Sequence, residues 1–396
     1  MKETSRQSAF NPTVMEIMSD FARLTGLFPE EQNPRRYLWT DAFAVCNYLE
    51  LYRQTGDGEF RHLALRLVDQ VHRHLGRHRG DDGRTGWISG LDEQEGNAHP
   101  TAGGLRIGKR IRERGRAEAY DERLEWDRDG QYFHYLTKWM HALHRVSRIS
   151  GDPTYHRWAI ELAKTAHAKF TYVPPTRGQK RLYWKMSIDL TYPLVTSMGQ
   201  HDPLDGFITY SQLEAFTAQE PKEAGHPDLR FEIADMANIC KDKNWATDDL
   251  LGLGGLLGDA CRIAQLIVTG GFGETAILLE DLLDCALHGL EHVAKRNPLD
   301  LPSEYRLAFR ELGLSIGLRA GERLRGLVER NPDLFGEKHP VHPRMDALKK
   351  YAGLMHDVES FWLDPKNREA ASWREHREIN MVMLATSLAP EGFLAL

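Results

Sequence analysis

The sequence predicts an all-α fold, a closed (α/α)6 toroid of six helical hairpins, on three observations. First, one unit recurs: a helix apolar nearly all round, a small-residue/Gly turn and an amphipathic partner helix. It is clearest at 37–53 with Thr55-Gly56-Asp57, at 132–149 with Ser150-Gly151-Asp152, and at 250–268 with Thr269-Gly270-Gly271. Self-similarity of this kind signals stacked supersecondary units. Second, an all-round apolar helix is buried on every side, while a one-faced helix lies on a surface. The units therefore read as inner helices with outer partners. Third, about six of each are present. An open solenoid is the structural alternative, but it would leave one inner face wet.

In order, 13–27 is amphipathic and pairs with the last helix across the closure. The partner of the first inner helix carries Phe60, Leu63, Ala64, Leu67, Val68, Val71 and Leu75, stepping by three and four as one helix face requires. Residues 79–130 are a long, charged, Gly-rich loop insertion at the mouth of the ring, with a short surface helix allowed in it. Segments of this length are usually lids, binding loops or mobile stretches. The second outer helix carries Tyr155, Trp158, Ala159, Leu162, Ala163, Ala166 and Phe170. Pro174-Pro175 and Arg177-Gly178, between β-formers, predict a small β-hairpin over 170–187. Weaker copies follow: 205–217 inner with 227–241 outer, 303–319 inner with a less regular stretch to 333, a helix at 342–361, and 373–388 as the last inner helix.

Composition bounds the function. The 396 residues are 41% hydrophobic and 27% charged, an ordinary globular chain read as a single domain, 1–396. No window approaches the roughly 18 uncharged apolar residues of a membrane span. The start, MKETSRQSAF, has no apolar core of a secretory signal, so a cytoplasmic location is expected. Cys46, Cys240, Cys261 and Cys285 sit in helical apolar patterns and read as free thiols. A net charge of -6 argues against nucleic acid as a partner. No motif for a cofactor or metal is present: His74 and His78 share only an outward helix face. Gly313-Leu314-Ser315-Ile316-Gly317 lies in a helix, whereas a nucleophile elbow needs a strand before it. The Gly252–Gly258 run reads as close helix packing at the funnel wall. A monomer or homodimer is expected.

The repeated hairpins resemble the six-hairpin superfamily, which includes many glycoside hydrolases and lyases and sugar epimerases of the N-acylglucosamine 2-epimerase type. The resemblance implies a site at the funnel mouth, in the loops leading into the inner helices. The first holds Arg35, Arg36, Trp39 and Asp41; the second holds Glu125 to Asp129, with Trp126 and Asp129, and runs on to His134. The third holds His201, Asp202 and Asp205; the fourth Trp245, Asp248 and Asp249; the fifth Glu304, Tyr305 and Arg306; the sixth Trp373, His376 and Glu378. Tryptophan plus acid recurs in four of the six. An indole stacks on the apolar face of a sugar ring while carboxylates take its hydroxyls.

These residues predict a saccharide partner, contacted by Arg36, Trp39, Trp126, His134, His201, Asp205, Trp245 and Trp373. His134 and His141, seven apart, share one face of an inner helix. Two carboxylates flanking a glycosidic bond supply acid and base, or acid and nucleophile, and one needs a raised pKa. Asp248-Asp249 after Trp245 resembles acidic segments of several six-hairpin hydrolases. Neighbours on a helix point about 100° apart, so at most one of that pair faces the funnel directly. The expected catalytic pair is Asp249 or Asp248 with Asp129 or Asp41. The alternative, a sugar epimerase or isomerase, rests on His376-Arg377-Glu378, which resembles the epimerases' histidine at the start of the last inner helix. The chain departs from that pattern in the fourth hairpin, where Asp248, Asp249 and Gly252 stand instead of a second histidine followed by Glu. A non-catalytic binding toroid is the third reading.

Overall fold

The computed structural model describes residues 11–175, 178–217, 228–270 and 276–396. The polar start 1–10, part of the predicted hairpin turn, Pro227 and Gly271 fall outside them. The helices are α1 (Pro12–Leu24), α2 (Leu38–Thr55), α3 (Gly58–Leu75), α4 (Glu93–Ala98), α5 (Glu122–Asp127), α6 (Phe133–Ser150), α7 (Pro153–Phe170), α8 (Asp202–Thr217) and α9 (Arg230–Cys240). They continue as α10 (Leu250–Val268), α11 (Ala276–Arg296), α12 (Ala308–Arg330), α13 (Val341–Leu348), α14 (Ala352–Leu363), α15 (Ala371–Glu375), α16 (Arg377–Leu388) and α17 (Glu391–Leu394).

Helices α2, α6, α8, α10, α12 and α16 pack in that order, and α16 returns to α2, so the ring is closed. Outside them lie α3 on α2, α7 on α6, α9 on α8, α11 on α10, and α13 and α14 on α12; α1 covers the seam between α16 and α2. This is the expected (α/α)6 toroid. Local chemistry sets its turns. Gly56 and Gly151 end α2 and α6 at φ 73° and 74°, a left-handed cap that costs an L side chain energy. Asp57 and Asp152 then cap α3 and α7 by accepting from the amides of Glu59 and Thr154. All four cysteines are free.

Helix α10 is 19 residues long and apolar enough, by length and composition, to cross a membrane. Its place explains this: α8, α11 and α12 surround it. A Cβ at Gly254 would strike the carbonyl of Gly313, so the glycine run lets α10 and α12 approach backbone to backbone. The cost is Gly's poor helix propensity, offset by this contact.

Four boundaries differ from the sequence reading. Helix α8 starts at Asp202 rather than 205, because Pro203 is tolerated in a first turn. The less regular stretch after 319 belongs to α12, held by buried Leu324 and Val328. The helix expected at 342–361 has a 3₁₀ turn, Lys349–Tyr351, between α13 and α14. The helix expected at 373–388 breaks at His376, whose φ −118°, ψ 31° separates α15 from α16. The hairpin at 170–187 is present as β2 (Thr171–Tyr172) paired antiparallel with β3 (Arg181–Leu182). Beside it, β1 (Gln131–Tyr132), β4 (Lys185–Met186) and β5 (Pro193–Val195) form a small antiparallel sheet with β4 central, laid against the start of α6.

Candidate active site at the mouth of the ring

The six inner helices start at one end of the ring, and a circuit of contacts joins their first turns. Tyr37 Oη and Tyr135 Oη lie 2.7 Å apart, joining α2 to α6. Lys138 Nζ donates to Asp205 at 2.7 Å, joining α6 to α8. His201 Nε2 meets the Trp245 carbonyl at 2.9 Å. Arg310 pairs with Asp249, Phe309 touches the His376 ring, and Arg35 pairs with Glu378 at 2.9 Å to return to α2.

Over the α2–α16 seam lies a cavity of about 830 Å³, lined by Tyr37, Asp41, Lys109, Arg110, His376 and Ile379 among others. The 79–130 segment forms one wall. Asp129 fastens that wall: fully buried, it accepts from Arg106 Nη1 at 2.5 Å, Arg79 Nη1 at 3.1 Å and the Gly108 amide at 3.0 Å. In the same cavity, burial pushes the Asp41 carboxyl up to about 6, against the pull of Arg36 and the Tyr37 amide. Lys109 stands over the Tyr132 ring, and burial plus the charge of Lys185 bring its amine down to about 8.

Beside the cavity, the lumen holds a second cluster. On α10, Gly255, Gly258 and Arg262 share a face, and a Cβ at either glycine would meet nothing within 4 Å. That face is therefore open space. Next to it in the ring stand Asp202 and Asp205 of α8, followed by His134 and Lys138 of α6. Asp205 accepts from Thr137 Oγ1 at 2.5 Å and from Lys138, with Arg262 at 3.5 Å. Burial alone would raise its pKa, but Lys138 and Arg262 outweigh burial and hold it below the ordinary carboxylate range. Asp202 is different. Its Oδ2 is buried without a hydrogen-bond partner, and its Oδ1 lies 3.6 Å from His134 Nδ1, which is also unpartnered. Burial, then the charge of Asp205, pushes Asp202 up to about 7, while burial brings His134 down to about 4. At pH 7 this contact is between a neutral imidazole and a carboxyl that is about half protonated, not a fixed ion pair. Burial and the charge of Asp205 also raise Asp259, on the neighbouring face of α10, to about 6.

An aromatic wall leads from the cavity to this cluster. Tyr135 contacts Tyr37 and His134. Tyr132 stacks on His134 at 5.3 Å, Trp184 lies 5.2 Å from Tyr132, and Trp126 meets Trp184 edge-on at 4.8 Å.

The sequence-predicted residues divide accordingly. His134, Asp205 and Trp126 meet at the lumen and its rim; Asp41, Arg36 and His376 meet in the cavity. Arg36 is nearly fully buried, donating to the Thr25 carbonyl and standing 3.4 Å from Asp41. Asp129 is committed to Arg79 and Arg106. Asp248 is an exposed partner of Arg296 at 2.9 Å, and Asp249 caps α10 through the Gly252 amide and pairs with Arg310. Three of the expected platforms are packed in the core: Trp39 against Phe43, Trp373 stacked on Trp362 at 5.4 Å, and Trp245, whose carbonyl takes His201. Core packing fills the faces they would offer a sugar. The reading of the residues missed Lys138, Asp259, Arg262 and Lys109, and gave Asp202 no role. Asp259 and Arg262 had a signal: they are the only charged residues in the otherwise apolar 250–268 helix.

No protein-family profile and no curated protein matches the sequence. Solved structures do. A family 76 glycoside hydrolase from a bovine Bacteroides thetaiotaomicron strain aligns over 96% of this chain and 78% of its own, at 12% identity and a TM-score of 0.51. An α-1,6-mannanase from Salegentibacter sp. HEL1_6 aligns over 96% and 98%, at 13% identity and a TM-score of 0.50, and an inactive variant of it, in complex with α-1,6-mannotriose, aligns equally well. A cellobiose 2-epimerase from Spirochaeta thermophila DSM 6192 aligns over 96% and 98%, at 13% identity and a TM-score of 0.48. The fold of this chain is the six-hairpin (α/α)6 toroid.

Proposed function

We propose that this protein is a carbohydrate-active enzyme that hydrolyses a glycosidic bond, with Asp202 as the proton donor. One observation carries the reading: two carboxyls one turn apart on α8 are driven in opposite directions, Asp202 up to about 7 and Asp205 below its ordinary range. Paired groups whose surroundings separate their pKa values mark an acid and its ionised partner. Asp202 is about half protonated at pH 7, and its Oδ2, which has no hydrogen-bond partner among the described residues, is the atom that would present the proton to a leaving-group oxygen. Asp205 carries the fixed negative charge that favours an oxocarbenium-like transition state. Asp259, on the neighbouring helix α10, is the carboxylate available to activate water or attack the sugar. Lys138 and Arg262 keep the pair from sharing one proton. The exposed Trp126, held edge-on by the half-buried Trp184, suits the apolar face of a sugar ring.

Two of the fold neighbours are glycoside hydrolases by name, and one binds α-1,6-mannotriose. Those facts make α-1,6-mannan the first substrate to try, within a panel of plant and microbial glycans. Asp202→Asn and Asp259→Asn are each expected to lower kcat by 10²–10⁴-fold with the helical signal intact. Wild-type-like hydrolysis by both variants would remove this pair. A second reading, sugar isomerisation or epimerisation, is favoured by the exposed His376 on the cavity wall and by the unprotonated His134. It predicts deuterium uptake from solvent into a free sugar, lost in His376→Ala or His134→Ala. Hydrolysis predicts none.

A further inference from the structure

We propose that the lumen is a blind cup that takes the end of a saccharide chain, its width set by Gly255 and Gly258 and its floor a polar layer backed by Phe393. This rests on the reading of the funnel as a saccharide site.

The floor is the segment 391–396. It touches four of the six inner helices, so it lies across the ring axis. Phe393 stacks on Phe43 of α2 at 4.2 Å and meets His141 of α6 edge-on. The Gly392 carbonyl accepts from Arg145 Nε of α6 at 3.1 Å. The Leu394 carbonyl accepts from Gln265 Nε2 of α10 at 2.9 Å. Glu391 pairs with Arg323 of α12. Above this plug sits the polar layer. His141 donates through Nε2 to the Phe393 carbonyl at 2.8 Å, its Nδ1 lies 3.1 Å from Gln212 Oε1, and Arg262 Nη2 donates to the same oxygen at 2.6 Å.

The depth follows from helix geometry. His141 lies seven residues beyond His134 on α6, and Gln265 lies seven beyond Gly258 on α10. Two turns at 1.5 Å per residue separate these levels by about 10 Å along the helix axes. The Arg262 side chain spans that interval, 3.5 Å from Asp205 and 2.6 Å from Gln212, so the open part of the cup ends on Arg262. A chain can enter this space from the mouth alone. A continuous polymer lying across the mouth would leave the open face at Gly255 and Gly258 unfilled. The terminal sugar would reach Lys138, Asp205 and Arg262, whose alternating charges suit vicinal hydroxyls.

Saturation-transfer NMR tests this with α-1,6-mannotriose, cellotriose and xylotriose on wild type, Gly258→Leu and Phe393→Ala. The expected result is a triose whose protons on one terminal unit receive several-fold more saturation than those of the central unit. Gly258→Leu is expected to weaken its binding at least 10-fold while keeping or raising Tm. Phe393→Ala is expected to even out the saturation; if that variant does not fold, Gly258→Leu still decides. Equal saturation along the bound triose, or unchanged binding by Gly258→Leu, overturns the end-on cup and leaves the saccharide reading standing. Failure of every triose to bind wild type sinks the saccharide reading, and the cup falls with it.

Discussion

Asp202 owes its proton to its surroundings, and that has consequences for both rate and stability. As a general acid it must be protonated, so the rate should fall as pH rises through about 7. The stability effect runs in the same direction. An unfolded Asp titrates near 3.9, and the folded group near 7. The folded state therefore holds a proton that the unfolded state has lost. The stabilisation is complete below about pH 4 and declines as pH rises to about 7, by about 1.4 kcal/mol per unit, on the order of 4 kcal/mol in all. Asp202→Asn keeps the shape without the ionisation. Its Tm relative to wild type should rise steadily between pH 4 and 8; a constant difference across that range would show that the carboxyl is not held protonated. Asp129 makes the opposite case. It is ionically committed to Arg79 and Arg106, and Asp129→Asn removes the buried carboxylate they share, leaving Arg79 with Asp81 and Arg106 with the Arg77 and His74 carbonyls. A loss of about 1–3 kcal/mol is expected, from weaker charge-assisted hydrogen bonds in the wall. Limited proteolysis should then cut within 79–130 first, which a purely catalytic role for Asp129 would not produce.

The helices were largely legible and the lumen was not, for one physical reason. Periodicity records which face of a helix is dry, so the inner and outer elements were readable from their apolar positions. It does not record which polar residues a closed ring turns inward. Asp at a helix start is an ordinary cap, as Asp57, Asp152 and Asp249 are here. Only the three-residue earlier start of α8, through Pro203, puts Asp202 inside its first turn and near His134. Tryptophan misled for a similar reason: Trp39, Trp245 and Trp373 stand beside acids in the sequence but serve the core. The glycines of α10 separate these roles at the scale of one helix. Gly254→Ala drives a methyl into the backbone of α12 and should cost 1–3 kcal/mol or more. Gly255→Ala, one residue on, meets nothing within 4 Å and should gain about 0.5–1 kcal/mol from helix propensity. Chemical denaturation of the two variants measures both signs. If they shift alike, the face assignment of α10 is wrong.

Closure of the ring joins residues more than 330 positions apart. Asn47 of α2 donates through Nδ2 to the Val382 carbonyl of α16 at 3.0 Å and accepts from Thr386 Oγ1 at 2.9 Å. Helix α1 seals the seam, with Tyr48 Oη donating to the Met18 carbonyl at 2.9 Å. An open array of hairpins is stable repeat by repeat and can fray from its ends. A closed ring has no end, because each inner helix needs both neighbours to bury its apolar surface. Unfolding should therefore be a single transition, with tryptophan fluorescence and far-UV circular dichroism coincident. Asn47→Ala removes the seam's hydrogen-bond pair and leaves the Thr386 hydroxyl with one partner fewer in a buried site. Its expected cost is about 1–3 kcal/mol. The midpoint should fall with the denaturant slope unchanged, because the same surface is exposed at once. A variant that instead loses part of its helix signal in an early, separate step would show that the first and last hairpins come apart while the rest holds. The ring would then behave as an open array, and a lumen that depends on closure would not survive as a binding site.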